Sequence, residues 1–251
     1  LHLGVRVIGI YGIPMIQSGD DIAALTIEAA VAQGTPLIEG DVLIVAQRIV
    51  SKAEGRVVPL DTFEPSALAN TWAEAWEKDS RQTEAVLQES ARVVRQLQGV
   101  LITETHHGFI CANSGVDASN VGGDDLISLL PVDPDASARA FGDSVREGLE
   151  IEIGVIVSDT FGRAWRVGQT NVAIGVAGLH PLKPLEGTLD LDGRELRVST
   201  PCIADELAAA AGLVMGKRDA YPVVIVRGYA YESGEGSASE IVRTSGDDLF
   251  P

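Results

Sequence analysis

The chain has 251 residues, which is enough for one large domain or two small ones with a substantial core. Lysine and arginine number 19 while aspartate and glutamate number 36, so the net charge of −17 argues against broad nucleic-acid binding and against docking on an anionic membrane. An apolar fraction of 45% indicates a globular protein, and two cysteines without a CxxC pair favour neither a disulfide framework nor a structural zinc site.

Short runs of valine and isoleucine predict seven β-strands. The run 151–157 places its isoleucines and valines on one face, which is typical of a half-buried strand, whereas 223–226 is apolar on both faces and is expected inside a sheet. The seven predicted strands are 5–10, 42–50, 100–105, 151–158, 171–177, 195–200 and 223–227.

Four segments have the apolar spacing of helices: 20–34, 81–97, 135–149 and 204–215. The first begins with acids at the positive end of the helix, and Gly216 is a natural stop for the last. Residues 61–80 mix proline, tryptophan and charges without periodicity and mark the first natural break in the chain. No GxGxxG follows the first strand and no GxxxxGK[ST] occurs, so Rossmann and P-loop motifs are absent from the sequence.

Two further observations concern where the protein works. The longest apolar stretch, 207–215, is far shorter than the roughly 20 residues that a spanning helix needs. The first seven residues have neither the basic region nor the apolar stretch of a signal peptide. We therefore expect a cytoplasmic protein.

Polar residues concentrate in short glycine-punctuated segments beside predicted strand ends, where site residues usually lie. Segment 12–16 has glycine and proline that force a turn with exposed backbone, with a plain structural turn as the simpler interpretation. In segment 47–56, Lys52 lies between a strand and a glycine and suits a phosphate, although a solvated surface turn fits the same residues.

Carboxylates occupy two of the other segments. Asp117 lies in a small polar turn and is either a hard-metal ligand or the centre of an Asx turn. Asp159 and Thr160 end a strand and offer oxygen ligands suited to Mg²⁺ or Mn²⁺. The nearby Arg163 and Arg166 suit bidentate binding of phosphate or carboxylate, with a structural ion pair as the alternative.

Acidic residues and histidines elsewhere have simpler interpretations. Asp205 and Glu206, at the start of the last predicted helix, are interpreted as helix caps. The four histidines lack the spacing of a zinc site.

Taken in order, seven segments resemble the coenzyme F420-0:L-glutamate ligase family, also called the F420:γ-glutamyl ligases. Each segment is weak alone, but seven in the same order across about residues 5–237 are specific. The segments are 12–16, 40–45, 49–56, 113–120, 130–138, 158–163 and 204–208.

The resemblance implies a fold and a reaction. The fold is α+β, with mixed α/β domains intertwined in a homodimer and no Rossmann or P-loop motif. Residues 1–251 would form one ligase unit, with a division into two subdomains left open and no C-terminal reductase-like domain. The enzyme would add L-glutamate to coenzyme F420-0 through an acyl phosphate, using GTP and Mg²⁺ or Mn²⁺. Whether K⁺ is a third cofactor is left open. GDP and phosphate would be released, a second glutamate would be γ-linked, and no nucleic acid or membrane would take part.

Matching by motif also implies residue roles. Asp117 and Asp159 resemble ligands of one divalent metal and Thr160 a ligand of a second. Some relatives carry an acid where Lys217 stands, which leaves a second-metal ligand from that segment open. Arg163 and Arg166 are added from their charge, as groups for the acyl phosphate or a substrate carboxylate. Nucleotide contacts are implied for Ile13, Pro14, Met15, Ile16, Gln47, Arg48, Lys52, Asn120, Met215, Gly216 and Lys217.

Two alternatives remain beside a stand-alone ligase. The chain is compatible with the excised N-terminal ligase domain of a two-domain enzyme that makes longer polyglutamate tails. It is also compatible with a GTP-binding regulatory relative that has lost ligation. Asp117, Asp159 and Thr160 together argue against the regulatory relative, because nucleotide binding alone does not require all three.

Overall fold

The computed structural model describes residues 4–118, 123, 125–216, 221–244, 246 and 248. Within these ranges helices and strands are mixed, which confirms the α+β class. The helices are α1 (Ile22–Ala32), α2 (Gln47–Ala53), α3 (Ala67–Trp76), α4 (Ser80–Gln88), α5 (Pro134–Leu149) and α6 (Ile203–Met215). The strands are β1 (Arg6–Ile10), β2 (Val42–Ala46), β3 (Val57–Pro59), β4 (Ser90–Leu97), β5 (Val100–Thr105), β6 (Ile110–Ala112), β7 (Leu126–Ser128), β8 (Gly154–Arg163), β9 (Arg166–Ala177) and β10 (Val223–Arg227).

A five-stranded sheet forms the main core, in the order β1-β10-β2-β8-β9. Strands β2 and β8 are parallel, and the other neighbours are antiparallel. Helix α6 packs against β1, β9 and β10, while α5 packs against β8 and β9. Strand β10 lies inside the sheet with both faces buried, as its continuous valine and isoleucine run predicts.

A smaller antiparallel sheet, β4-β5-β6, packs against α4, which in turn packs against α3. The buried apolar side chains of the described residues accordingly form two clusters, one on the main sheet and one that includes Leu60, Val86 and Leu101. The short ribbon of β3 and β7 contributes Ile127 to the second cluster, with Val58 packed against it. The division into subdomains stays a prediction.

Three of the four predicted helices are confirmed as α1, α5 and α6. Asp21 is the N-cap of α1, because its side chain accepts hydrogen bonds of 3.0 Å from the amides of Ala23 and Ala24. The predicted helix 81–97 is wrong beyond Gln88, since the chain there turns into β4. Helix α3, in the segment without periodicity, was not predicted.

Strand boundaries also differ from the expectations. The predicted strand 42–50 is wrong after Ala46, where α2 begins. Strand β8 begins only at Gly154, and its first five residues are buried on both faces, so the half-buried pattern is wrong. Among the described residues, 195–200 contributes only the isolated bridge between Leu189 and Glu195.

Strands β8 and β9 continue past the main sheet as a two-stranded arm. Strand β2 pairs with β8 only from Gly154 to Ser158, whereas β9 follows β8 out to the Arg163–Arg166 pair. We call residues 159–172 the β8–β9 arm. The arm carries polar residues away from the sheet, along the side where the cleft described below opens. No helix within the described ranges has the length and apolar character needed to cross a membrane.

Candidate active site

An open cleft of about 770 Å³ is lined by six separate segments of the chain. They are the start of α2, the end of β6 with the turn after it, the outer half of β8, the facing part of β9, the end of α6 and the two residues before β10. The cleft therefore lies between the main sheet and the smaller sheet, with α6 beside it. Sequence positions that are more than 100 residues apart meet here.

Both predicted metal-binding carboxylates line this cleft. Asp117 is held by a pair of backbone hydrogen bonds with Ser128, of 3.0 and 2.8 Å. Asp159 lies on β8 opposite Val172 of β9, directly after a bulge in the pairing of these strands. Backbone pairing at both positions fixes the main-chain atoms from which the two carboxylates extend. A metal site requires ligands that are held in place in this way.

Asp205 supports the bulge. Its Oδ1 accepts a hydrogen bond of 2.9 Å from the backbone amide of Ala173, the residue that pairs with Ser158. The interpretation of Asp205 as a cap of its own helix is wrong, because its carboxylate satisfies a strand amide instead. Helix α6 is thereby tied to the strand pair that presents Asp159.

Thr160 lines the same cleft and is oriented by Asn171 on the facing strand. The Thr160 hydroxyl donates to Asn171 Oδ1 at 3.0 Å, and Asn171 Nδ2 donates to Met215 Sδ at 3.3 Å. Because its proton is engaged with Asn171, the hydroxyl oxygen keeps its lone pairs for another partner. Met215 and Gly216 at the end of α6 complete this wall.

The start of helix α2 brings an amide and a basic side chain to the cleft. Gln47 and Arg48 line the cleft, and Gln47 is buried with its Oε1 accepting from Ser51 Oγ at 2.8 Å. Arg48 Nη2 donates to Asp117 Oδ2 at 2.8 Å. Lys52 lies one turn further along α2 and does not line the cleft, so its phosphate contact stays a prediction. Burial and then the charge of Arg48 lower the pKa of Lys52 below that of an ordinary lysine.

Cys111 lines the cleft as a thiol. Burial, followed by the negative charge of Asp159, raises the pKa of Cys111 to about 12. A thiol with this pKa is almost entirely protonated at neutral pH, so Cys111 is neither an activated nucleophile nor a ready metal ligand. The same shift places the negative potential of Asp159 inside the cleft.

These oxygen donors suit a hard divalent cation whose remaining ligands are water or substrate oxygens. Two carboxylates and a hydroxyl are oxygen donors of the type that Mg²⁺ and Mn²⁺ prefer. The part of the chain that the structure describes contains no group of three His, Cys, Asp or Glu side chains able to hold a metal. Mg²⁺ is commonly bound through one or two carboxylates together with substrate phosphates and water, and the residues present fit that arrangement.

The loop after β1 lies beside this site without lining the cleft. Met15 is exposed, whereas Ile13 and Ile16 pack into the main core. The amide of Gly19 donates to the Ala53 carbonyl at 2.8 Å, which holds the loop against the end of α2. The nucleotide contacts predicted for Ile13, Pro14, Met15 and Ile16 stay predictions.

Four other predicted residues lie elsewhere or outside the described ranges. Arg163 and Arg166 face each other at the exposed tip of the β8–β9 arm and do not line the cleft of this chain. Their roles stay predictions. Asn120 and Lys217 lie outside the residues that the structure describes.

Asn171 is the main cleft residue that sequence reasoning missed. Asn171 pairs with Thr160 only because a register shift between Gly162 and Arg163 offsets the arm from the pairing that the Arg163–Arg166 turn alone would set. Recognising 158–177 as one hairpin would therefore have placed Gln169 opposite Thr160, and the local pattern gives no sign of the shift. Gln169 and Tyr221 also line the cleft, and no local pattern marks them.

Comparison with known sequences identifies the class of enzyme. Residues 11–228 match the family described as F420-0:Gamma-glutamyl ligase. A coenzyme F420:L-glutamate ligase of Methanothermobacter thermautotrophicus is 43% identical over 251 residues, which cover 99% of both chains. The protein of the same name from Methanopyrus kandleri is 43% identical, and the match covers 94% of this chain and 93% of the relative. The one from Archaeoglobus fulgidus is 40% identical, and the match covers 98% of this chain and 96% of the relative.

The chain, with its mixed α+β fold, is an enzyme of the ligase class. It belongs to the F420-0:gamma-glutamyl ligase family. The resemblance carried by the seven sequence segments is thereby confirmed.

Proposed function

We propose that this protein joins L-glutamate to coenzyme F420-0 at the expense of GTP, in the biosynthesis of coenzyme F420. The observation that carries the proposal is the convergence of Asp117, Asp159 and Thr160 in one cleft, with Arg48 beside them. This set combines oxygen ligands for a cation with a positive group for phosphate. The names of the similar proteins supply the substrates.

The proposed chemistry overcomes the poor reactivity of a carboxylate. A carboxylate oxygen of F420-0 attacks the γ-phosphorus of GTP, the bond to the bridging oxygen breaks and GDP leaves. The amine of glutamate then attacks the carbonyl carbon of the acyl phosphate, loses a proton and expels phosphate. A bound Mg²⁺ or Mn²⁺ would neutralise the phosphate oxygens during the transfer.

Side chains of this protein have distinct parts in the proposal. Asp117, Asp159 and Thr160 would hold the cations, and Asn171 would keep the Thr160 oxygen turned toward its cation. Lys52 would contact a phosphate from the end of α2, as a point charge. A requirement for K⁺ and the γ-linkage of a second glutamate are further parts of the proposal.

We also propose that the chain forms a homodimer. Two protruding segments carry apolar side chains into solvent: Trp165 and Val167 on the β8–β9 arm, and Leu189, Leu191 and Val198 in residues 185–199. Protruding apolar side chains on a two-stranded arm favour a partner that covers them. In that arrangement Arg163 and Arg166 would reach toward a site on the partner subunit.

Mass spectrometry of the product tests the proposed function. Incubation with GTP, Mn²⁺, L-glutamate and F420-0 should yield F420-0 extended by one and then two glutamyl residues. Asp159→Asn should abolish the extension while circular dichroism stays unchanged, because a ligand charge is lost at a hard-metal site. Asp143→Asn removes the same charge from the exposed face of α5 and should leave turnover unchanged.

The outcomes separate the alternatives. Longer tails would favour the ligase unit of a polyglutamate-forming enzyme. GTP binding without any extension would favour the regulatory relative and overturn the proposal. Near-normal turnover of Asp159→Asn at low Mn²⁺ would remove Asp159 from the metal site.

A further inference from the structure

We infer that Arg48 and a divalent cation compete for Asp117, so that Arg48 is an internal counter-ion which the cation must displace. The inference rests on the proposed metal site and adds to it the role of one side chain. It also proposes that Arg48, once displaced, becomes available to the nucleotide phosphates.

The geometry places Arg48 on the carboxylate itself. Arg48 Nη2 donates to Asp117 Oδ2 at 2.8 Å, although the residues are 69 positions apart in the sequence. Asp117 is fixed by its backbone pairing with Ser128, whereas Arg48 reaches it from α2 on a long side chain. The backbone that carries Asp117 is therefore held in place, and the longer side chain of Arg48 is the more movable member of the pair.

The exposure of the pair makes displacement feasible. The side chains of Arg48 and Asp117 are 35% and 37% exposed, so water is at hand to solvate both when they separate. Ion pairs with this exposure are weak and contribute little to stability. By contrast, the bidentate pair of Arg227 with the buried Asp41 ties the end of β10 to the start of β2. The cleft pair has the properties of a reversible contact.

Charge supplies the reason for competition. A divalent cation on Asp117 would face the guanidinium at short range, and like charges at contact distance repel strongly. Asp159 is a second negative group in the cleft and Lys52 a second positive one nearby, so the local balance changes with each ion that enters. Once displaced from Asp117, the Arg48 guanidinium would donate hydrogen bonds to the nucleotide phosphates. Binding of the cation should therefore raise the affinity for the nucleotide, and binding of the nucleotide should raise the affinity for the cation.

Mn²⁺ binding without nucleotide tests the competition directly. Free Mn²⁺ is measured by electron paramagnetic resonance during titration of the wild type, Arg48→Gln and Arg48→Lys. Arg48→Gln should bind Mn²⁺ roughly three- to tenfold more tightly, since it removes both the ion pair and the repulsion. Arg48→Lys keeps the positive charge and should stay within about twofold of the wild type.

Arg81→Gln is the matched control. Arg81 forms an ion pair of 2.7 Å with Asp79. The side chains of Arg81 and Asp79 are 36% and 35% exposed, which is close to the exposure of the Arg48 and Asp117 side chains. It lies on α4, outside the residues that line the cleft. Loss of this arginine should leave Mn²⁺ affinity unchanged, although the net charge changes by the same amount.

A second titration uses GTP at saturating Mn²⁺. Arg48→Gln should then bind GTP more weakly than the wild type, so the variant gains affinity for the ion and loses it for the nucleotide. Equal or weaker Mn²⁺ binding by Arg48→Gln would overturn the inference, and weaker binding would mean that Arg48 orients Asp117 for the cation. Absence of Mn²⁺ binding by the wild type and all variants, with and without GTP, would overturn the metal site as well.

Discussion

The cleft changes the chemistry of single side chains, and Cys111 is the clearest case. Burial and Asp159 raise the pKa of its thiol to about 12, so at pH 8 only about one thiol in ten thousand is ionised. We expect iodoacetamide at pH 8 to leave Cys111 unmodified in the folded protein, and peptide mass mapping measures this. Protein unfolded in guanidinium should react at both cysteines. Rapid modification of Cys111 in the native state would contradict the charge and burial assigned to the cleft.

Lys52 gives a prediction about pH. Because the folded-state pKa of Lys52 is lowered, its positive charge is lost at a lower pH than the charge of an ordinary lysine. If Lys52 contacts a phosphate, GTP affinity should fall as pH rises through that lowered pKa. Lys52→Arg keeps its charge and should move the fall to higher pH, as calorimetry over an alkaline series would detect. Identical pH profiles for the two proteins would exclude Lys52 from the phosphate site.

The same residue contributes to stability with the opposite trend. A lowered lysine pKa means that the unfolded chain holds more protons than the folded one between the two pKa values. The contribution of Lys52 to the free energy of unfolding therefore rises with pH in that window, while phosphate binding falls. The two trends distinguish a loss of charge at the site from a loss of fold.

Some site residues could be predicted from sequence, and others depend on long-range contacts. Asp159 and Thr160 were predicted as strand-end residues; β8 instead continues to Arg163, and it carries both residues to the cleft. The pair of Arg48 with Asp117 spans 69 positions and has no local signal. Asp205 was assigned to its own helix, because nothing nearby in sequence shows that a strand bulge will present an amide to it.

Among the secondary-structure elements, the boundary between α4 and β4 shows where periodicity misleads. Aliphatic residues at 86, 93, 94 and 97 fit one helical stripe by spacing alone. In the structure 90–97 pairs with β5, and Arg92 forms an ion pair with Glu104 across the strands. Pairing with a later segment therefore outweighs the local pattern. Segments such as α1 and α5, with clear caps and spacing, were predicted correctly.

Packing of α5 against β9 depends on the absence of a side chain at Gly175. A Cβ atom there would lie 2.2 Å from the Pro134 carbonyl oxygen, which is backbone and cannot move aside cheaply. We expect Gly175→Ala to lower the free energy of unfolding in urea by about 1–3 kcal/mol. Gly142→Ala is the control, because its Cβ would meet only Val155 at 3.6 Å, and alanine in a helix should stabilise by up to about 1 kcal/mol. Equal stability of the two variants would contradict the packing described for α5.

At the scale of the whole molecule, apolar side chains on the protruding segments predict assembly. The protein should be a dimer in light scattering across the micromolar range, because Val167 and Leu191 are otherwise fully exposed. Val167→Asp combined with Leu191→Asp should shift the mass toward one chain. Val132→Asp places the same charge at an exposed valine away from these segments and should leave the dimer intact. One chain mass for the wild type would exclude the homodimer.

The overall charge of the molecule sets the problem that its active site must solve. A protein of net charge −17 is proposed to bind the phosphates of GTP in a cleft that holds Asp117 and Asp159. Two like charges about 4 Å apart repel by about 4 kcal/mol at an effective dielectric of 20, which is enough to prevent binding. A divalent cation between carboxylates and phosphates turns that repulsion into attraction.

Calorimetry of GTP binding, first with EDTA and then with Mn²⁺, is the most direct test of this account. GTP should bind weakly or undetectably in EDTA and tightly with Mn²⁺, and Asp159→Asn should abolish most of the gain. Equal GTP affinity in the two conditions would mean that the carboxylates do not face the phosphates, and the proposed active site would be wrong.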